Sequence, residues 1–312
     1  MAEAGDSSSL RTPSAMWVGV AAGLAAGALW GLVFVAPRMV QGVSAVDFTA
    51  GRFVSYGALS LLLMLLMRKS AWPTAKQALA AAGMSVLGFT GYYLLLVLAI
   101  RDAGTEVPSL IIGTIPIWMM ILGKPSELRW AGLVPGLLLT LGGLALMVYA
   151  SHSGLAALPT GGFFWRGVLF ALCSMAFWTV FGIYNSRWLK RHPEVDATMW
   201  ANWLGVATGL GACGLWLVAG TDAKVLLAQA NVAQAAILSI ATGVGSAWLA
   251  TILWNIASQR LSASLCGQMI VSETIFALVY SFIWDGHWPS VVQLTACALF
   301  IAGILASIRA HR

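Results

Sequence analysis

Glu273 is a single carboxylate deep inside the apolar run 257–276, which opens on the polar turn Ser258, Gln259 and Arg260. At ~1.5 Å per residue, about eleven residues past Ser262 reaches roughly the middle of a ~30 Å hydrocarbon layer. An ionisable group at that depth costs at least about 2.5 kcal/mol and is kept where it faces a cavity or a partner. Such an acid can take up a proton, or offer its charge to a substrate ammonium. A protonated Glu hydrogen-bonded to a neighbouring helix is the structural alternative. Gln268 and Ser272, four apart, set a polar strip beside it.

Other candidates share this level. Trp30, Pro116, Trp178 and Trp248 each lie eleven to fourteen residues into an apolar segment. Tryptophan is less expected at mid-membrane than at the interfaces. Its ring can stack on a substrate ring or hold a cation over its face. Phe34, Tyr92 and Tyr184 complete the candidate set; Tyr92 and Tyr93 point about 100° apart, so at most one of the two faces a given cavity. A mid-helix proline such as Pro116 frees a backbone carbonyl, which marks a hinge or a site-lining kink.

The elements that position these residues are membrane helices. The 312 residues are 60% hydrophobic and 9% charged, far from the soluble range of about half apolar and a quarter charged. Ten spans are expected, at 16–40, 46–67, 77–100, 104–122, 131–150, 164–187, 197–219, 233–257, 262–284 and 290–308. The fold class is an all-α polytopic membrane protein. Residues 1–15 read as a polar cytoplasmic tail, 16–150 as a first five-helix unit, 151–163 as an extracytoplasmic linker, 164–308 as a second unit and 309–312 as a cytoplasmic end.

The net charge of +6 orients the chain and does not mark a nucleic-acid surface. With the N-terminus inside, twelve Lys and Arg fall on the cytoplasmic side, and Arg38, Arg52, Arg101, Arg166 and Lys224 on the other. Both termini are then cytoplasmic, in a plasma membrane of the bacterial inner-membrane kind. Arg52 is expected to snorkel outward rather than pair with Asp47. Cys173, Cys213, Cys266 and Cys297 all fall in expected helices, so neither a disulfide nor a metal site is expected. His152, His192, His287 and His311 fall in loops or tails, which disfavours a membrane-embedded enzyme. No stretch reads as a channel filter. No cofactor is expected.

The halves repeat. A shift of 148 residues lays Gly19, Val20, Leu24, Ala28 and Trp30 on Gly167, Val168, Leu172, Ala176 and Trp178. A shift of 158 lays the fourth span on the ninth, with Ala99 on Ala257, Ile112 on Ile270 and Pro116 on Thr274. Five spans is an odd number, so the two units are inverted across the membrane and enclose a central cavity where carriers hold substrate near the midplane. Gly19, Gly23 and Gly27 form a packing strip on the first span.

The residues A-L-W-G in the first span, A-F-W-T in the sixth and the run A-S-L-C-G-Q-M-I-V-S-E-T-I-F resemble the EamA-type carriers of the drug/metabolite transporter superfamily. The resemblance covers about 17–308, and is greatest to the YddG-type exporters of aromatic amino acids. It implies outward transport of a small aromatic or hydrophobic solute through a central, mostly apolar cavity; alternating access by a functional monomer is expected from the self-contained inverted repeat. A proton is the candidate co-substrate. The same fold carrying another metabolite or an amphipathic cationic drug is the alternative. The family's Glu-Pro pair is divided here, Ile115-Pro116 in one half and Glu273-Thr274 in the other, which bears on proton coupling. No Lys or Arg is expected at the midplane, so amine or zwitterionic cargo is favoured over anionic cargo.

Overall fold

The computed structural model describes residues 13–40, 42–66, 72–104, 106–151, 163–286 and 288–311. The expected tail before residue 13, most of the 151–163 linker, and Arg11, Arg68, Lys69, His152, His287 and Arg312 lie outside the described residues. Among the described residues all regular structure is helical. The spans are α1 (Pro13–Gly31), α2 (Ala45–Leu66), α3 (Ala75–Ala103), α4a (Glu106–Gly113) with α4b (Ile115–Leu122), and α5 (Trp130–Ser151). The second half follows as α6 (Phe164–Arg191), α7 (Ala197–Ala219), α8 (Val232–Arg260), α9 (Ala263–Asp285) and α10 (Val291–Ala310).

Helices begin where a polar side chain takes up backbone N–H groups that have no partner within the helix. Thr74 with Gln77 and Ser290 with Gln293 form capping boxes at the starts of α3 and α10. Asp196 accepts from Thr198 and Met199 at α7, and Ser262 accepts from Leu265 at α9. One expected span is corrected, and another shows the kink expected at Pro116. The first, expected to reach residue 40, ends as an α-helix at Gly31 and continues as two 3₁₀ turns, Leu32–Phe34 and Ala36–Met39. The fourth breaks at Thr114, because the ring of Pro116 clashes with the preceding turn and removes an N–H.

Both α3 and α8 carry a π-helical turn, Val86–Thr90 and Gly243–Leu249. The 158-residue shift brings their first residues to within one position. The packing is paired in the same sense. Helix α3 lies along α6 as α8 lies along α1, α4 along α6 as α9 along α1, and α2 with α7, α4b with α9 and α5 with α10 pair across the halves.

The contacts also fix direction. Along α1, Gly19, Gly23, Gly27 and Gly31 approach Leu261, Met269, Ser272 and Ala277 in turn, so α1 and α9 run parallel. Gly123 meets Ala263 while Met119 meets Gly267, so α4b and α9 are antiparallel. Thr114 bonds Met175 and Met119 meets Gly182, so α4 and α6 are parallel. It follows that α1 and α6 are antiparallel, and the two halves are inverted.

Burial is uneven along the bundle. In the half nearest the start of α1, residues 263–272 of α9 are all buried and Ile115–Ile117, Met119 and Met120 of α4b are buried too. In the far half, α9 from Glu273 to Trp284 is half-buried or exposed apart from Ala277, and α3 from Gly91 to Val97 is half-buried throughout. The near end is further joined by buried polar groups. Asn185 of α6 accepts from the Trp200 indole at 2.6 Å and donates to Asn255 of α8 at 3.2 Å; Ser186 donates to the Ser258 carbonyl at 3.0 Å. The near end is therefore densely packed, while at the far end α3 and α9 are less buried and residues 46–50 of α2 stay buried.

Candidate functional site

Three tryptophans meet inside the bundle. Trp30 of α1 and Trp178 of α6 stand edge-on at 6.2 Å between ring centroids, and Trp254 of α8 closes the triangle at 5.3 Å and 5.8 Å. Such pairs add about 0.5–1.5 kcal/mol beyond the area they bury. Tyr92 of α3 and Met175 of α6 pack on the same cluster, which includes Ile270, one turn before Glu273. Glu273 is half-buried beyond this aromatic floor, towards the far end. It interacts electrostatically with Tyr92 and with Arg52 of α2.

Arg52 departs from its expected place. Its guanidinium lies over the Phe53 ring at 4.8 Å, its Nε is enclosed without a hydrogen-bond partner, and the ionisable side chains near it are Glu273, Tyr92 and Tyr93. Asp47 is not its partner. That carboxylate accepts from Ser44 at 2.6 Å, Trp216 at 3.1 Å and Thr221 at 2.6 Å, tying the start of α2 to the end of α7.

The sequence-derived candidates divide. Trp30, Tyr92 and Trp178 lie in one cluster, with Glu273 one turn from its Ile270. Pro116 is buried at the α4 break, beside the close approach of Gly267. The rest are placed elsewhere. Gln268 is buried and bonds the Thr140 hydroxyl of α5 at 3.1 Å and accepts from Ser307 of α10 at 3.2 Å. Ser272 donates to the Met269 carbonyl at 2.6 Å and packs on Gly27 of α1. The expected polar strip beside Glu273 is thus turned onto neighbouring helices, since positions five apart on a helix lie about 140° apart.

Trp248 donates to Asn202 of α7 at 2.8 Å, away from the triangle. Phe34 is exposed in the 3₁₀ turn after α1. Tyr184 is 53% exposed and lines a groove of about 430 Å³ on the outer surface with Ala80, Gly83, Met84, Leu87 and Val180.

Trp254 and Arg52 are the residues that sequence reasoning missed. Depth was counted at Cα, but helical side chains lean towards their helix N-terminus. In antiparallel α1 and α8, Trp30 and Trp254 therefore lean towards each other from different Cα levels. Arg52 carried no signal beyond its position inside an apolar span.

Two inverted sets of apolar helices around an aromatic cluster with one acid and one base define a polytopic membrane carrier of the inverted-repeat kind. The EamA-like transporter family matches residues 17–149 and 165–309, and the chain belongs to that family of membrane transporters. It is 30% identical to the inner membrane protein YtfF of Escherichia coli (strain K12), over 94% of this chain and 95% of that one. It is 22% identical to the uncharacterized transporter YdfC of Bacillus subtilis (strain 168), over 80% of this chain and 77% of that one. A solved crystal structure superposes with a TM-score of 0.75 at 21% identity, covering 94% of this chain and 96% of its own, which is a likeness of fold.

Proposed function

We propose that this transporter exports small aromatic or hydrophobic amino acids from the cytoplasm by alternating access of its two inverted halves. The observation that carries this reading is the meeting of Trp30, Trp178 and Trp254 beside the half-buried Glu273. The aromatic floor supplies apolar and stacking contact for a ring, and the carboxylate takes either a substrate ammonium or a proton. The near end, packed and joined by the Asn185–Asn255 bond, is the cytoplasmic side, as the distribution of Lys and Arg favours. The far end then faces away from the cytoplasm, in the plasma membrane, and one chain is the working unit.

The test is efflux of labelled tryptophan and phenylalanine from proteoliposomes, with and without a pH gradient, for the wild type and Glu273→Gln. Saturable, protein-dependent efflux is expected. Loss of the pH effect in Glu273→Gln places the proton on that carboxylate, whereas a pH effect that survives places it elsewhere. No efflux of any aromatic amino acid under either condition overturns the reading.

A further inference from the structure

A buried guanidinium without a matched anion is expensive, and in a membrane protein such a group marks a pathway or a binding function. Arg52 is half-buried, and its Nε is in that position. Its Nε is enclosed and unpartnered, the nearest acid on its own helix, Asp47, is saturated by Ser44, Trp216 and Thr221, and the Phe53 ring offers only partial compensation. Across from it stand Tyr92 and Tyr93 of α3 and Glu273 of α9. Tyr93 is already committed, donating to the Ala45 carbonyl at 2.9 Å. Among the described residues neither Arg52 nor Glu273 makes an ion pair, though each feels the charge of the other.

An unpaired cation and an unpaired anion that face each other without touching leave a gap with a polarity. Arg52 lies towards the far end, the eighth residue of α2, and Glu273 near the middle of α9, the eleventh of its 23 residues. Two charge-assisted hydrogen bonds of about 2.8 Å, with the roughly 3 Å from ammonium to carboxylate of an α-amino acid between them, bridge roughly 9 Å. The planar fork of arginine suits a carboxylate in a bidentate grip, which an ammonium side chain cannot give.

We propose that Arg52 is the carboxylate-binding residue of the transport site, so that the cargo is held as a zwitterion between Arg52 and Glu273 with its side chain on the tryptophan floor. This rests on the aromatic amino-acid reading above and narrows it, excluding simple aromatic amines and amphipathic cations as preferred cargo. Cargo that carries both charges neutralises both residues at once. Cargo with one charge leaves the other residue uncompensated, and that difference selects the zwitterion.

The experiment compares proteoliposome transport of tryptophan, of tryptamine, which lacks the carboxylate, and of indole-3-propionate, which lacks the ammonium. Wild type should move tryptophan at least tenfold better than either. Arg52→Gln should lose tenfold or more on tryptophan with tryptamine unchanged or improved, so that the preference disappears. Arg52→Lys, which keeps the charge and loses the fork, should lose several-fold on tryptophan alone; it decides the matter if Arg52→Gln does not fold, with the thermal midpoint in detergent as the control. Equal losses on tryptophan and tryptamine, an unchanged tryptophan rate, or a wild type that moves tryptamine as well as tryptophan would overturn the role of Arg52 while leaving aromatic transport standing. A wild type that moves none of the three indoles overturns the aromatic reading, and this inference with it.

Discussion

Gln268 and Trp254 exchange roles between sequence and structure. Gln268 is fully buried, and its amide joins α9 to Thr140 of α5 and Ser307 of α10. Gln268→Leu leaves two buried hydroxyls without that partner. We expect a loss of about 1–3 kcal/mol, read as a lower thermal midpoint, with the transport rate per folded molecule unchanged. Trp254 is 1% exposed and touches both other tryptophans, so Trp254→Ala should cost about 3–5 kcal/mol and also slow aromatic transport. Trp254→Phe should restore most of the stability. The position of Glu273 was legible, because a carboxylate in an apolar run is conspicuous. Its neighbours were not, because which face a residue presents depends on how ten helices are arranged. Arg52 illustrates the gap: snorkelling is the generic fate of an arginine near a helix end, and only the folded arrangement brings the α3 and α9 groups near it.

Helix boundaries followed from hydropathy wherever a span was long and unbroken, as for α7, expected and found at 197–219. The α4 break was legible through Pro116. The π turns in α3 and α8 were not, since one added residue per turn leaves no mark on a uniformly apolar sequence. Close approach of helices was partly legible. The Gly19, Gly23 and Gly27 strip does meet α8 and α9, yet a closer approach of backbone to backbone lies at Gly57 and Gly209, where a Cβ on Gly57 would sit 2.7 Å from the Gly209 Cα. Gly57→Val should force α2 and α7 apart. The expected cost is about 1–3 kcal/mol, measured as a drop in midpoint, and Gly209→Val should reproduce it because both changes open one contact. If either is tolerated without loss, the α2–α7 pairing is looser than the structure has it.

For the molecule as a whole, the inverted halves were legible from parity alone, since two sets of five crossings must point in opposite directions. The uneven burial was not, because it belongs to one arrangement of the halves and no residue type encodes it. If the buried network at the near end holds this arrangement, Asn255→Leu should weaken it, removing the bonds to Asn185 and the Ala197 carbonyl. We expect a shift towards the opposite arrangement, seen as a change in distance between spin labels placed at the two ends. An unchanged distance distribution would assign the network to folding alone. One thiol makes the same event visible by simple chemistry. Cys266 is buried in the packed half of α9, whereas Cys213 is exposed. A water-soluble maleimide should therefore leave Cys266 untouched in the resting protein and reach it, from the N-terminal side, only while cargo is turning over, so the chain carries its own clock for the transport cycle.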